Sequence, residues 1–315
     1  MTHKKTAYVL YSGGLDSMLS IKLLQEQKIR VIAVHFTSTF FNNKDFCKEV
    51  AKEIGFKLII KKLSKEYIRV VKNPKYGYGS AMNPCIDCHL HMIKKLKKIA
   101  GNNIIATGEV LNQRPFSQKL SDFKIIEREA KLENKILRPL SAKLLPETIY
   151  EKEGIVNRNK FLAIKGKIRK TQLELARKYK LKFLTPSGGC LLTDKEFARK
   201  LKDLFEYKKR VSKIDLELLK IGRHFRINKT KIIVGRNKKE NLKLKKSGKF
   251  FFEVDGIGPT TILLGEKNKK SIELAAKLTL FYSDEKNVSV KYGKKLERRI
   301  KVDIPKKEEI EKYRI

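Results

Sequence analysis

The first half of the chain alternates short apolar runs with stretches of helical periodicity. Four apolar runs have the length of buried strands, at residues 7–11, 30–36, 57–60 and 103–107. Three segments between them repeat apolar positions at helical spacing, at residues 15–25, 45–54 and 85–99. This alternation predicts an α/β domain, a parallel sheet with helices on both faces whose ligands bind at the carboxyl ends of the strands.

The pattern changes beyond about residue 200. One more amphipathic helix is followed by four strand-like segments, at residues 231–235, 250–254, 260–264 and 288–292. The change predicts a smaller, separate α+β domain. We therefore expect two domains, residues 1–204 and residues 205–315.

Composition adds a strong charge to this picture. The 315 residues carry 73 Lys and Arg against 34 Asp and Glu, a formal net charge of +39. Such a field attracts polyanions, of which nucleic acid is the first candidate, although a lysine-rich genome or a thermophilic source would also raise the charge. No apolar run reaches the length of a membrane span, and we expect a cytoplasmic protein with no membrane partner.

The turn after the first predicted strand reads Ser-Gly-Gly-Leu-Asp-Ser. Gly13 and Gly14 let backbone N–H groups approach a phosphate, and the helix N-terminus that follows adds a partial positive charge. Ser12 and Ser17 can donate hydroxyl hydrogen bonds, and Asp16 can hold Mg²⁺ against the phosphates. Each residue alone also suits a tight turn with helix caps, but their combination after a strand favours a nucleotide site.

Four cysteines are too few for a secreted disulfide framework. Cys85 and Cys88 open a predicted helix, where the dipole is expected to lower the thiol pKa. Cys190 ends a Pro-Ser-Gly-Gly-Cys turn that is flexible enough to reach another loop. Cys47 lies within a predicted helix and is interpreted as a small buried residue.

Three such thiols can serve different chemistries. One cysteine can carry a persulfide while another resolves it as a disulfide. The three can instead ligate three irons of a [4Fe-4S] cluster and leave the fourth iron open. A zinc site would need a fourth ligand, for which His89 and His91 are candidates.

Together these motifs resemble a known family. SGGLDS is the signature of the PP-loop (adenine nucleotide alpha hydrolase-like) ATP pyrophosphatases. With NPCIDCH, ATGEVLNQRPFSQ, LRPL and PSGGC, the chain resembles the tRNA thiouridine synthetases of the ThiI, MnmA and TtuA groups over residues 5–204. The segment at residues 106–118 looks closest to the ThiI group.

The resemblance implies a function and a site. It implies cleavage of ATP between its α and β phosphates with Mg²⁺, and replacement of a uridine oxygen by sulfur, with 4-thiouridine at position 8 favoured over 2-thiouridine at position 34. The SGGLDS turn would cradle pyrophosphate. His35 and Phe36 would lie beside adenine, and Gly108 would line the nucleotide pocket.

The resemblance also bears on the cysteines. Members with Cys at the position of Cys85 look like the cluster-dependent type. This implies that Cys85, Cys88 and Cys190 are the catalytic cysteines and the ligands of a [4Fe-4S] cluster. The expected partners are tRNA and a sulfur donor, either sulfide or a persulfide carrier, and a homodimer stays open.

The N-terminal RNA-binding region usual in ThiI proteins has no counterpart before the SGGLDS turn, so we expect the C-terminal half to contact tRNA. Residues 234–241 resemble the RNA-binding domain named NFACT-R, with Arg236 and neighbouring lysines as phosphate contacts and Asn237 and Asn241 shaping the loop. Two alternatives remain open: a ribosome- or tRNA-binding protein with an idle nucleotide site, and a PP-loop ligase that acts on a small molecule.

Overall fold

A computed structural model describes residues 5–184, 189–285 and 288–315. It divides into two compact units, Met1–Thr193 and Asp194–Ile315. Of the expected PSGGC turn, Pro186, Ser187 and Gly188 lie outside the described residues, whereas Gly189 and Cys190 lie within them.

The N-terminal unit is built on a five-stranded sheet. Its strands are β1 (Thr6–Leu10), β2 (Arg30–Thr37), β3 (Lys57–Lys62), β4 (Ile104–Thr107) and β5 (Ile136–Leu137). They pair in parallel in the order β3-β2-β1-β4-β5. The order reverses direction between β1 and β4, which creates the crevice at the strand ends where such sheets bind ligands. The predicted parallel α/β sheet is confirmed.

The described residues of this unit form seven α-helices: α1 (Leu15–Glu26), α2 (Lys44–Ile54), α3 (Glu66–Lys72), α4 (Cys85–Ala100), α5 (Leu120–Ala130), α6 (Ile149–Lys152) and α7 (Lys170–Lys178). The helical periodicity predicted α1, α2 and α4 to within two residues at each end. It missed α3, α5, α6 and α7, of which α3 and α6 span only one to two turns and offer little periodicity to detect.

The core of this unit explains why the apolar runs form central strands. Val9 of β1 and Ala33 of β2 are fully buried, as is Ala106 of β4. Leu19 and Ile21 of α1 are buried in the same unit. Strands covered on both faces read as continuous apolar runs, which is the pattern the sequence displays.

The C-terminal unit contains a six-stranded antiparallel sheet in the order β11-β10-β8-β9-β7-β6. Its strands are β6 (Arg223–Ile227), β7 (Thr230–Val234), β8 (Phe251–Val254), β9 (Thr261–Leu264), β10 (Val290–Gly293) and β11 (Arg298–Ile300). Its helices are α8 (Lys195–Tyr207), α9 (Lys213–Leu218), α10 (Lys238–Ser247), α11 (Lys269–Phe281) and α12 (Lys307–Glu311). The predicted α+β class and four of these strands are confirmed.

A buried ion-pair cluster ties α8 to the C-terminal sheet. Asp203 on α8 accepts hydrogen bonds from Nε and Nη2 of Arg226, each at 2.7 Å, and from Nζ of Lys231 at 2.9 Å. Because those partners lie on β6 and β7, all of α8 folds with the C-terminal unit. The structure divides the chain after Thr193, whereas the boundary expected after residue 204 falls inside this helix.

None of the helices in the described ranges is long and apolar enough to cross a membrane.

Candidate active site

The phosphate turn lies between β1 and α1. Gly13 has a φ of 81°, a conformation open to glycine at little cost, and Gly14 caps α1. The hydroxyl of Ser17 donates to the carbonyl of Gly14 at 2.8 Å, and the Oγ atoms of Ser12 and Ser17 are 3.3 Å apart. The N–H of Gly14 donates to Ser12 Oγ at 3.2 Å. The two hydroxyls therefore shape the turn from inside.

The floor of the turn is tightly packed. A Cβ added at Gly13 would lie 2.9 Å from Sγ of Cys47, a buried thiol on α2. Nδ1 of His35 lies 2.9 Å from the carbonyl oxygen of Tyr11, and burial lowers the pKa of that imidazole. His35 and Phe36 are both buried near the carboxyl end of β2. Cys47 is thus a packing residue beneath the turn, as the sequence indicated.

Gly108 lies in close contact with the first turn of α1. It follows β4 directly, and a Cβ there would lie 2.5 Å from the backbone nitrogen of Ser17 and 2.6 Å from its Cα. Ser20 Oγ also donates to the carbonyl of Thr107 at 3.2 Å. The loop after β4 therefore lies against the first turn of α1, and only glycine fits this contact.

Asp16 is held by residues far away in the sequence. Nε2 of Gln113 donates to Asp16 Oδ2 at 2.7 Å. Gln113 in turn accepts from Nε2 of Gln172 on α7 at 2.9 Å, and Arg169 Nη2 lies 3.7 Å from Asp16 Oδ1. The sequence motif included Gln113, but no periodicity or spacing pointed to Arg169 or Gln172.

A buried carboxylate follows Gly108. Burial opposes ionisation of Glu109, but Arg138 and His89 overcome it and lower the pKa of the carboxyl to about 2. His89 Nδ1 lies 2.8 Å from Oε1, and Arg138 Nε donates to Oε2 at 3.1 Å. Arg138 also contacts Glu127. Because His89 lies on α4, this network fixes the helix of Cys85 and Cys88 against the loop after β4.

Cys85 and Cys88 lie in the first turn of α4, as predicted. Asn83 Nδ2 donates to Cys85 Sγ at 3.2 Å, and the hydroxyl of Tyr67 lies 2.9 Å from Cys88 Sγ. Burial is the main cause that raises the pKa of Tyr67, and Cys88, Cys190 and Cys85 raise it further. Tyr67 therefore contacts Cys88 and interacts electrostatically with Cys85 and Cys190, which its place in a short helix did not signal.

The three thiols influence one another. Burial raises the pKa of all three, that of Cys190 to about 11, and Cys190 and Cys85 raise that of Cys88 further. Arg114 acts in the opposite direction on Cys85 and Cys190. The expectation that the helix N-terminus lowers the pKa of Cys85 and Cys88 is wrong, because burial outweighs the dipole when nothing binds the thiols.

The donor set bears on which metal group fits. In the part of the chain that the structure describes, no three His, Cys, Asp or Glu side chains gather around a point where one ion would bind. A single zinc ion needs four ligands at about 2.0–2.3 Å from one centre. A cluster instead holds each thiolate on a different iron, and the thiols of Cys85, Cys88 and Cys190 form a donor set of the type that such clusters use.

The predicted RNA loop precedes α10. Asn237 Oδ1 accepts from the N–H of Glu240 and caps the helix, and Asn241 Nδ2 donates to the carbonyl of Gly258 at 3.4 Å. Both asparagines shape the loop as expected. Arg236 is less free than expected, because its Nη2 donates to Glu240 at 2.6 Å.

Two family models match the chain. Residues 5–178 match the model described as tRNA methyl transferase HUP domain, which spans more than half of the sequence. The chain belongs to this family. Residues 222–314 match the model described as NFACT protein RNA binding domain. The protein is thus a PP-loop HUP domain joined to an NFACT-type RNA-binding domain, as the resemblance implied.

No curated protein matches the chain. Among solved structures, a predicted subunit of tRNA methyltransferase from Methanocaldococcus jannaschii is 20% identical, with a TM-score of 0.34 over 43% of this chain and 69% of that one. A 4-thiouridine synthetase in complex with RNA and bound ATP is 19% identical, with a TM-score of 0.35 over 68% of this chain and 52% of that one.

Proposed function

We propose that this HUP-domain protein is an ATP-dependent tRNA thiouridine synthase. The observation that carries the proposal is that two consecutive residues, Gln113 and Arg114, act on the phosphate turn and on the cysteine thiols respectively. Gln113 donates to Asp16 at the phosphate turn, and the positive charge of Arg114 acts to lower the pKa of the thiols of Cys85 and Cys190, against the effect of burial. A site that activates an oxygen with ATP and then replaces it by sulfur needs both groups close together.

The first step uses the phosphate turn. ATP binds there with its α phosphate exposed to the target uridine, whose carbonyl oxygen attacks phosphorus and releases pyrophosphate. The partial positive charge at the start of α1 stabilises the charge that develops on the leaving group. Asp16 is the residue that would hold Mg²⁺, which neutralises phosphate charge when bound.

The second step uses the cysteines. A sulfide equivalent from an external donor attacks the activated ring carbon, the bond from that carbon to oxygen breaks, and AMP leaves with the oxygen. Cys85, Cys88 and Cys190 present this sulfur. They would also be the ligands of a [4Fe-4S] cluster, which supplies an iron that can bind sulfur. We favour 4-thiouridine at position 8 as the product over 2-thiouridine at position 34.

Nucleoside analysis of tRNA tests the proposal. A strain that lacks the gene should lose one thiouridine, and the position of the missing base identifies the substrate uridine. Complementation with Cys85→Ala, Cys88→Ala or Cys190→Ala should leave the base unmodified, whereas Cys47→Ala should restore it. Full restoration by Cys190→Ala would refute the role of the three cysteines.

Anaerobic purification separates the two sulfur chemistries. Brown protein with about four irons per chain would support the cluster. Active, iron-free protein would support transfer through a persulfide on one cysteine and a disulfide with another.

The purified chain also discriminates the other functions. Pyrophosphate release that depends on tRNA supports the synthase. Release without RNA would favour a ligase that acts on a small molecule, and tRNA binding without ATP cleavage would favour an idle nucleotide site. Transfer of a methyl group from S-adenosylmethionine to tRNA would contradict the proposal.

A further inference from the structure

One atom of each side chain in a charged pair beside the phosphate turn lacks a hydrogen bond to any described residue. Arg169 Nη2 and Asp16 Oδ1 are 3.7 Å apart, longer than the 2.7–2.9 Å typical of a charge-assisted hydrogen bond. Within residues 5–184, 189–285 and 288–315, Asp16 Oδ1 is buried without a hydrogen bond, and so is Arg169 Nε. Both side chains are about one-fifth exposed. A buried polar atom of a charged group without a hydrogen bond is costly, so these two atoms point to a ligand that binds both.

The surroundings hold this pair in place rather than let it close. Asp16 Oδ2 is occupied by Gln113, whose amide is fixed by the fully buried Gln172. The backbone before Arg169 is tied to the loop after β4, because the N–H of Gly166 donates to the carbonyl of Leu111 at 2.7 Å. Arg169 therefore reaches the phosphate turn from a rigid support.

The ligand that satisfies both groups must be an anion that carries its own cation. A carboxylate oxygen prefers a cation such as Mg²⁺, and a guanidinium presents a fork that matches phosphate oxygens. A polyphosphate with Mg²⁺ has both components, and AMP has fewer phosphate oxygens to offer.

We propose that Arg169 binds the β and γ phosphates of ATP and holds the pyrophosphate as it leaves. The inference rests on the proposed function only in that ATP binds at this turn. Gln113 and Gln172 are positioning residues that keep Asp16 Oδ1 directed toward the same ligand.

Calorimetric titration of the full chain with ATP, AMP and pyrophosphate tests the assignment. Arg169→Gln should weaken ATP and pyrophosphate binding about tenfold to a hundredfold, as expected for lost hydrogen bonds to a charged group, with AMP affinity within twofold of wild type. Arg177→Gln is the matched control, because Arg177 lies exposed on the same helix. It should change none of the three affinities.

Two further measurements distinguish direct phosphate binding by Arg169 from an indirect effect through Asp16. The loss for pyrophosphate should persist in EDTA, because Arg169 contacts the phosphate itself; a loss that vanishes without Mg²⁺ would mean that Arg169 acts only through Asp16 and would overturn the assignment. Equal weakening of AMP would also overturn it. If Arg169→Gln does not fold, Arg169→Lys should give an intermediate loss for pyrophosphate, and unchanged binding would refute the assignment.

Different results would contradict the proposed function and the role of Arg169. Wild-type protein that binds no ATP contradicts the nucleotide site itself. If wild-type protein binds ATP and the Arg169→Gln variant binds ATP and pyrophosphate with the same affinities as wild type, only the role of Arg169 is contradicted.

Discussion

Gln113 and Asp16 lie 97 positions apart, yet the side-chain amide of one donates to the carboxylate of the other at 2.7 Å. The contact joins the loop after β4 to the first turn of α1, the helix that follows β1, and the sheet order reverses between β1 and β4. It leaves one oxygen of Asp16 free to face a ligand and fixes the direction of that oxygen.

Replacement of Gln113 by Leu should impair activation without abolishing the fold. The hydrogen bond to the Asp16 carboxylate is lost, and such a bond is worth about 1.5–3 kcal/mol, or about tenfold to a hundredfold in rate if it is fully expressed in the transition state. The measurement is tRNA-dependent pyrophosphate release. Gln25→Leu is the control, because the side chain of Gln25 makes an exposed bond to the carbonyl of Gly55. An unchanged rate in Gln113→Leu would show that Asp16 needs no such support.

Gly108→Ala should destabilise the N-terminal unit. The new Cβ would meet the backbone of Ser17 at 2.5 Å, and backbone inside a helix cannot move aside as a flexible side chain can. Overpacking of this kind costs about 1–3 kcal/mol or more, and it would also displace the phosphate turn. Thermal unfolding and ATP titration measure the two effects. Gly189→Ala, whose Cβ would meet no atom of the described residues within 4 Å, should unfold like wild type.

Glu109→Gln should lower the free energy of unfolding at neutral pH and weaken its dependence on pH. Arg138 is 3% exposed, and loss of the Glu109 carboxylate leaves it with Glu127 as a remaining partner, so the cost should lie below the ~3–5 kcal/mol of a buried charge that loses its partner entirely. Since the pKa of Glu109 is lowered from 4.5 to about 2, its ionisation stabilises the fold above pH 4.5, and that contribution is lost as the pH falls toward 2.

Urea unfolding followed by circular dichroism at pH 7 and pH 3 checks this prediction. Wild type should lose stability between the two pH values, and Glu109→Gln should lose less over the same interval. An equal loss in both proteins would mean that other carboxylates dominate the acid response.

The contrast between predicted and unpredicted features follows from the range of the interactions. β1, α1 and the SGGLDS turn are local in sequence, and apolar periodicity with two glycines was enough to predict them. The same local signals predicted β7, β8 and β9 in the C-terminal unit.

Long-range contacts left no local signal. β5 has only two residues and exists because Ile105 and Ala106 pair with it. Arg169 is 153 positions from Asp16, and Tyr67 reaches Cys88 from a short helix. The thiol pKa values were predicted in the wrong direction, because the helix dipole is a local property and burial depends on the whole fold.

Cys47 should tolerate a smaller side chain and reject a larger one. Its thiol is buried beneath Gly13, where even a single added carbon would approach it to 2.9 Å. Cys47→Ala should keep near wild-type thiolation and ATP affinity. Cys47→Met should press on the turn and weaken ATP binding, since overpacking in a closed site displaces the backbone. Equal ATP affinities in the two variants would show that the turn does not depend on this packing.

RNA binding by the C-terminal unit should depend on the exposed lysines of α10. Lys238, Lys239 and Lys243 are exposed and form no ion pair with any residue that the structure describes, whereas Lys245 lies 2.8 Å from Glu253. Unpaired ammonium groups on one short helix can neutralise RNA phosphates and release counterions. The ammonium group of a lysine that is already paired with a carboxylate is partly neutralised and contributes less. Lys238, Lys239 and Lys243 should therefore contribute more to tRNA affinity than Lys245.

The salt dependence of tRNA affinity measures this difference. Replacement of Lys238, Lys239 and Lys243 by Ala should reduce the slope of log Kd against log salt by about 2–3, at roughly 0.7–0.9 per lost phosphate contact. Arginine at the three positions keeps the charge and should keep the slope. Lys245→Ala should change it less than any of the other three single substitutions. An unchanged slope in the triple alanine variant would mean that tRNA phosphates bind on another face of the protein. The slope depends only on the lysine and arginine side chains that contact the phosphate backbone of the RNA.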